Sequence, residues 1–424
     1  MQTVYLVLLL LSTLAASFIW GINTLFLLDA GLSNTEAFAA NAFFTAGLVI
    51  FEVPTGVVAD TRGRRTSYLL GTITLIVSTL LYLWMWRVSA PFWAWALVSV
   101  LLGLGFTFFS GAVEAWLVDA LTFTGFTGNL ESVLAKGEIV QGAAMLAGSV
   151  AGGMIAQATD LGVPYILRVV ILAVTLVLAF VLMRDLGFTP RRAQSLTDEV
   201  KHVLKGSLDY GLGNPPVRWV MLASPFTDGV AIYAFYAMQP YLLQLYGDER
   251  AYGIAGLAAA IFAGAQIAGG LLVPSVRRLF RRRTSVLLTG TLLSTAALAA
   301  IGLVPNFWLV VTLLVLWGLM FAAVIPVRQA YIHGLIPSGQ RATVLSFDSL
   351  LGSSGGVLSQ PVLGRAADMG GYPVSYLYGA VLQSLAIPFV WLARREKAPS
   401  DQITSEPGEK PMPSSRRTDE IGGG

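Results

Sequence analysis

Gly56-Val57-Val58-Ala59-Asp60-Thr61-Arg62-Gly63-Arg64-Arg65-Thr66-Ser67 is the stretch whose reading decides the fold. An apolar run enters it and another leaves it, so it reads as a tight, charged hairpin between two segments of membrane-grade hydrophobicity. One carboxylate and three guanidiniums within six residues belong at a water interface, because charges are expensive in hydrocarbon.

Composition points the same way. The 424 residues are 55% hydrophobic and 12% charged, with a mean hydropathy of +0.70. Soluble domains carry about 25% charged residues, so this chain cannot cover a water-facing surface and is expected to be an integral membrane protein. The net charge of +3 does not point to nucleic acid, because the positive residues gather in loops. With no cysteine, disulfides, thiol catalysis and thiolate metal sites are excluded. His202 and His333 are the only histidines, which argues against a zinc site or a histidine triad. There is no G-x-x-x-x-G-K-[ST] phosphate loop, so no ATPase motor is expected, nor any cofactor, metal or enzymatic activity. Met1 to Leu28 lacks a basic leader and a cleavage site, and is read as a retained first span.

A span needs about 20 apolar residues. Such runs number twelve, near 4–28, 38–59, 67–86, 92–119, 137–158, 165–183, 217–245, 251–275, 284–304, 307–332, 341–364 and 373–393. The expected architecture is all-α, with twelve transmembrane helices in two pseudo-symmetric six-helix bundles. The bundles cover 1–183 and 217–393, joined by a polar connector at 184–216. Within the connector Leu196, Val200, Val203, Leu204 and Leu208 recur at helical spacing, which predicts an amphipathic interfacial helix. The tail, 394–424, is rich in Pro, Ser, Gly and charge and is expected to be disordered.

Alternate loops differ sharply in Lys and Arg. One face collects Arg62, Arg64, Arg65, Lys136, Arg184, Arg191, Arg192, the run from Arg277 to Arg283, Arg341, Arg394 and Arg395; the other has Arg87, Arg250 and Arg365. Positive loops stay inside, so the Asp60 hairpin and both termini are expected in the cytoplasm of an inner or plasma membrane. Internal duplication is visible as well. Arg64-Arg65-Thr66-Ser67 recurs as Arg282-Arg283-Thr284-Ser285, and Glu114-Ala115-Trp116-Leu117 is echoed by Gln329-Ala330-Tyr331-Ile332. Gly148-Ser149 with Gly152-Gly153 and Gln157 is echoed by Gly352 to Gly356 with Gln360.

With these residues in view, the chain resembles the major facilitator superfamily of secondary transporters. That family's loop between spans two and three reads G-x-x-x-D-[RK]-x-G-[RK]-[RK]. Gly56, Asp60, Gly63, Arg64 and Arg65 match, while Thr61 replaces the expected base. The resemblance implies two bundles rocking about a central cavity, with the hairpin as a conformational switch. It also implies that Arg64 pairs with an acid at the inner end of span four, where Asp119 stands. Span five is similar to the drug-efflux branch at Gly148, Gly152 and Gly153, with Ser149 where proline is expected. Close helix packing explains those glycines equally well.

Charges within spans need a reason, since each costs about 2.5–3.5 kcal/mol at the bilayer centre. Asp228 lies near the midplane of span seven, ahead of Tyr233, Tyr236 and Gln239, and Pro240 offers a break in that helix. Asp348 is similarly deep in span eleven, while Glu52 and Glu114 lie nearer the hairpin. These four are candidates for proton coupling or substrate binding, the alternative being paired or neutral structural acids. Trp20, Asn23, Gln141 and Gln266 are candidate cavity residues together with Tyr233, Tyr236 and Gln239. Arg328 offers a second-half echo of the hairpin chemistry, and Arg168 in span six needs a partner that the sequence does not name.

The expected function is secondary active transport by alternating access, with proton-coupled efflux of amphipathic or cationic small molecules. The alternative is a transporter of a specific polar metabolite, a sugar or an organic anion. A third reading is a non-transporting sensor or scaffold on the same fold. The expected partners are the lipid bilayer, a small-molecule substrate and protons, with no nucleic acid, and the protein is expected to act as a monomer.

Overall fold

The computed structural model describes residues 1–190, 201 and 205–403. Among these, eleven helices are long and apolar enough to cross a membrane, and the last, Thr343–Arg395, holds two crossings. They are divided at Gly371, where φ is 78° and ψ 174°, a conformation only glycine adopts without strain. Among the described residues the fold is therefore all-α with twelve spans. In order they are Gln2–Trp20, Asn34–Arg62, Arg64–Val88, Phe92–Phe123, Leu130–Ala158, Gly162–Leu182, Pro215–Tyr246, Tyr252–Leu271, Arg283–Leu303, Phe307–His333, 341–370 and 372–395.

Span one packs on spans five and six, span two on span four, and span three on spans four and six. The second half repeats this scheme, with span seven against the 341–384 helix and span ten against spans eight and nine. The two halves meet along two seams, span two against span eleven and span five against span eight.

Several helices are interrupted where hydropathy alone reads an unbroken run. Span one turns at Gly21 and Ile22 before a short helix, Asn23–Asp29. Span four is divided between Thr107 and Ala112, and span eight gives way to the short helix Val273–Leu279. Span seven, by contrast, runs unbroken from Pro215 to Tyr246 through Pro225 and Pro240, correcting the expected break at Pro240. Neighbouring helices pack span seven on its sides, and such packing lets a membrane helix carry proline.

In the connector, Leu196, Val200, Val203 and Leu204 lie outside the described residues, while Leu208 opens a single π-helical turn, Leu208–Leu212. The tail was expected to be disordered from 394, but its described part, 394–403, is folded. Arg394 and Arg395 end a helix, Pro399–Asp401 forms a turn, and Gln402 pairs with Arg282 in an antiparallel bridge. Backbone and side-chain hydrogen bonds hold this segment to the start of span nine, against which composition alone cannot argue.

Both seams are tight at the face opposite the hairpin, called here the far face, and splay toward the hairpin face. A methyl placed on Gly153 of span five would sit 2.6 Å from the Tyr252 carbonyl oxygen, whereas at Gly142 the nearest atom is Ile267 Cδ1 at 3.5 Å. On the other seam, a methyl on Gly364 would lie 2.9 Å from the Asn34 carbonyl oxygen, whereas Gly56 has open space around it. Hydrogen bonds between the halves reinforce the tight end. Asp368 accepts the main-chain N–H groups of Asn34 (3.0 Å) and Thr35 (2.9 Å), and Tyr372 donates to Asn34. Gln157 accepts the Gly253 N–H at 2.9 Å. Gln239 accepts the Thr24 N–H and donates to the Trp20 carbonyl, both at 3.0 Å. A capping box, Ser33 with Glu36, fixes the start of span two just beside this closure.

Candidate functional site

At the hairpin, Gly63 is at once the C-terminal cap of span two and the N-terminal cap of span three, with φ 103°. This lets the chain reverse within one residue and puts Asp60 and Arg64 in contact at 2.5 Å, an i,i+4 pair. Arg65 turns outward along span six, donating to the Phe180 carbonyl at 2.7 Å and lying over the Phe180 ring. Its main-chain N–H is accepted by Asp185 at 2.9 Å. The same carboxylate lies where a side chain on Gly63 would have to go.

The expected Arg64–Asp119 pair is not formed. Asp119 makes no ion pair among the described residues, and its carbonyl packs against Gly187. The reason is proximity: Asp60 stands four residues before Arg64, and the turn at Gly63 brings the two side chains together.

The second half repeats the arrangement. Asp401 accepts the Thr284 N–H at 2.8 Å, and Arg283 donates to the carbonyls of Ser400 and Gln402. The Ser400 hydroxyl donates to the Tyr331 carbonyl at 2.9 Å, on the helix turn that echoes Trp116; Trp116 Nε1 in turn donates to the Arg184 carbonyl at 2.7 Å. Thus each half closes its basic loop with an acid from beyond its own sixth helix. Sequence reasoning missed Asp185 and Asp401. The available signal was an acid after the last span of each half, opposite a repeated Arg-Arg-Thr-Ser.

Two cavities lie deeper. The central one, of about 210 Å³, is lined by Trp20 and Asn23 from span one, Asn41 and Phe44 from span two, Tyr82, Phe106, Arg168 and Tyr236. Trp20 stacks on Phe235 with ring centroids 4.3 Å apart. Arg168 is 1% exposed. It donates through Nε to Thr79 at 3.1 Å and through one terminal nitrogen to the Ala15 carbonyl at 3.3 Å, and it lies over the Phe106 ring. The partner the sequence could not name is therefore not an acid.

The second cavity, of about 250 Å³, lies within the second half and is lined by Thr227, Asp228, Arg328, Gln329, Asp348 and Gln383, among others. Arg328 pairs with Asp348 at 2.6 Å and donates to Ser224, whose hydroxyl also donates to Asp348. Arg328 is thus the half-buried partner of an acid and no echo of the hairpin. Asp228 accepts from Thr227 at 3.1 Å and rests against Gly352. Two carboxylates face one guanidinium here, leaving one negative charge when both are ionised, which a proton would cancel.

The remaining candidates are dispersed. Glu52 accepts the Ser110 hydroxyl at 2.7 Å, tying span two to the break in span four. Glu114 and Gln141 are exposed, and Gln266 lies outside the lining of both cavities. Tyr233 belongs to the core, donating to Ser375 at 2.6 Å, and Gln239 holds the seam.

Two six-helix groups joined along two seams, tight at one face and splayed at the other, with polar cavities between helices, are the architecture of an alternating-access membrane transporter. The chain belongs to the Major Facilitator Superfamily, whose family model matches residues 5–281 and 221–419. It is a multi-pass membrane transporter and not an enzyme.

Solved structures share the fold. The nucleoside transporter NupG superposes with a TM-score of 0.71 at 11% identity, covering 93% of this chain and 98% of that one. A D-xylose–proton symporter gives 0.66 at 16% identity, covering 92% and 95%. A bacterial homologue of the human lysosomal transporter Spinster, inward-facing and unoccupied, gives 0.68 at 15% identity, covering 93% and 96%. No curated protein sequence matches this chain.

Proposed function

We propose that this protein is a proton-coupled secondary transporter that exports amphipathic small molecules by alternating access, with the hairpin face in the cytoplasm. The observation that carries the coupling is the second cavity, where Asp228 shares space with the Arg328–Asp348 pair and, among the described residues, has no cation of its own. Protonation of Asp228 would make the cluster neutral, and a neutral cluster crosses between exposures at lower cost than a charged one. The aromatic lining of the central cavity, from Trp20, Phe44, Phe106 and Tyr236, supports an amphipathic cargo.

Orientation rests on the excess of Arg and Lys at the hairpin face. On that reading both termini are cytoplasmic, the cavities open inward, and the membrane is the inner or plasma membrane. The halves 1–183 and 217–393 would rock as units around the connector 184–216. A monomer supplies both seams, and the drive is the proton gradient. Hydrogen bonds from Tyr165 to Asn23 and from Asn23 to Asn41, at 3.0 and 2.8 Å, favour the second reading, a specific polar metabolite. The expected preference for cations has no support in a cavity whose charged lining residue is an arginine.

The test is flux in proteoliposomes of known orientation under an imposed pH gradient. The expected result is pH-driven accumulation of an amphipathic probe that is lost in Asp228→Asn. Unaltered pH-driven flux in that variant would remove Asp228 as the coupling acid.

A further inference from the structure

We infer that the central cavity is built for an organic anion, with Arg168 and Asn41 receiving a carboxylate and Trp20 and Tyr236 flanking a planar body. This rests on the transport reading above and names its substrate class.

The argument begins with charge. A fully buried guanidinium is costly to hold unless it is paired, yet among the described residues Arg168 forms no ion pair. Its neighbours are a threonine hydroxyl, a main-chain carbonyl and the face of Phe106. These occupy Nε and one terminal nitrogen of a group with five N–H donors. Arg168 is also the one charged residue lining this cavity among the described residues, so an acid arriving with the substrate would meet a positive field with no competing carboxylate.

The hydrogen-bond chain nearby ends in a second unmet donor. Tyr165 donates to Asn23 Oδ1, and Asn23 Nδ2 donates to Asn41 Oδ1. With its oxygen so used, the Asn41 amide nitrogen is buried and has no partner among the described residues. An unpaired buried donor carries a penalty that an acceptor removes. Both unmet functions in the cavity are therefore donors, and the carboxylate is the acceptor that a guanidinium and an amide bind best, through charge-assisted bonds. An ammonium ligand would find no acceptor of opposite charge here. The apolar remainder of the wall, including Trp20 and Tyr236, fits an aromatic or otherwise flat hydrocarbon body.

The experiment is a thermal-shift and tryptophan-fluorescence titration of the purified full-length protein. Three probes differ only in the head group: 1-naphthoate, naphthalene-1-carboxamide and 1-naphthylmethylammonium. Naphthoate is expected to bind at least about tenfold more tightly than either partner, as loss of a charge-assisted bond predicts. Arg168→Gln should erase that preference. Because Arg168→Gln can also harm folding, Arg168→Lys and Asn41→Leu provide a second measurement. The melting temperature of each reports its folding; both should weaken naphthoate, and Arg168→Lys should leave the carboxamide unchanged.

Equal binding of the three probes, preference for the ammonium, or full naphthoate preference in Arg168→Gln would overturn the inference. Flux separates it from the reading on which it rests. Naphthoate that binds but shows no pH-driven transport leaves the anion site standing and removes proton coupling. pH-driven transport of the ammonium alone removes the anion site and keeps the coupling.

Discussion

Asp368, close to the end of span eleven, accepts the main-chain N–H of Thr35 at the start of span two, 2.9 Å away and 333 residues distant in the chain. The carboxylate also takes the Asn34 N–H, so an acid from one half caps a helix of the other. Helix N-termini carry about half a positive charge, and the bond therefore holds the far face shut by charge as well as by shape.

Asp368→Asn is expected to loosen that closure. The chain has no cysteine, so Thr45→Cys, buried beneath the seam, reports on it without a background. The double variant should label with a membrane-impermeant maleimide from the far face several times faster than Thr45→Cys alone. Equal rates would mean that the cap is dispensable to closure.

Gly153 and Gly256 allow spans five and eight to touch. A side chain on Gly153 would meet the Tyr252 carbonyl oxygen at 2.6 Å and Gly256 Cα at 2.9 Å, main-chain atoms that cannot step aside. Gly153→Val should force the far ends apart. Distances measured between spin labels on the far ends of the two helices should lengthen, while labels at the hairpin ends should draw together.

Asp228 and Asp348 share a cavity but should fail differently. Asp348 is 4% exposed and bonds Arg328 and Ser224. Its loss strands a half-buried guanidinium, and Asp348→Ala should cost about 1–3 kcal/mol of stability, read as a clear fall in melting temperature. Among the described residues Asp228 bonds only Thr227 by side chain, and Asp228→Asn should melt near the wild type while losing pH-driven flux. Similar melting of the two variants would argue against this division of roles.

Asp185 and Asp401 each cap the third helix of their own half. Removing either side chain should cost about 1 kcal/mol, in the range of other helix caps, without altering binding in the central cavity. A loss of binding in Asp185→Ala would tie the hairpin to the cavity more closely than the contacts indicate.

Much of the fold could be read directly. Twelve apolar runs and a charged turn suffice for the span count, because bilayer thickness sets a length that sequence reports. Partnerships were less accessible. Asp119 looked like the mate of Arg64 by position, but the tight turn at Gly63 brings Arg64 onto Asp60. Trp20, Asn23 and Tyr236 lie together around the central cavity, whereas Gln141 on span five and Gln266 on span eight do not line it. Helix rotation decides that, and low amphipathicity in an apolar span leaves it unmarked. Arg168 was visible as an oddity, and only the neighbours supplied by spans one, three and four show how it is held.

The paired acids at Asp185 and Asp401 carry a consequence for how the protein can be dissected. Asp185 and Asp401 each fasten the basic turn of their own half. The chain can therefore be severed in the connector, between residues 191 and 200, without cutting either fastening. Two co-expressed fragments should insert independently, find each other through the glycine-lined seams, and restore transport. Assembly would then be a meeting of two finished pieces, and the covalent link between them a matter of stoichiometry.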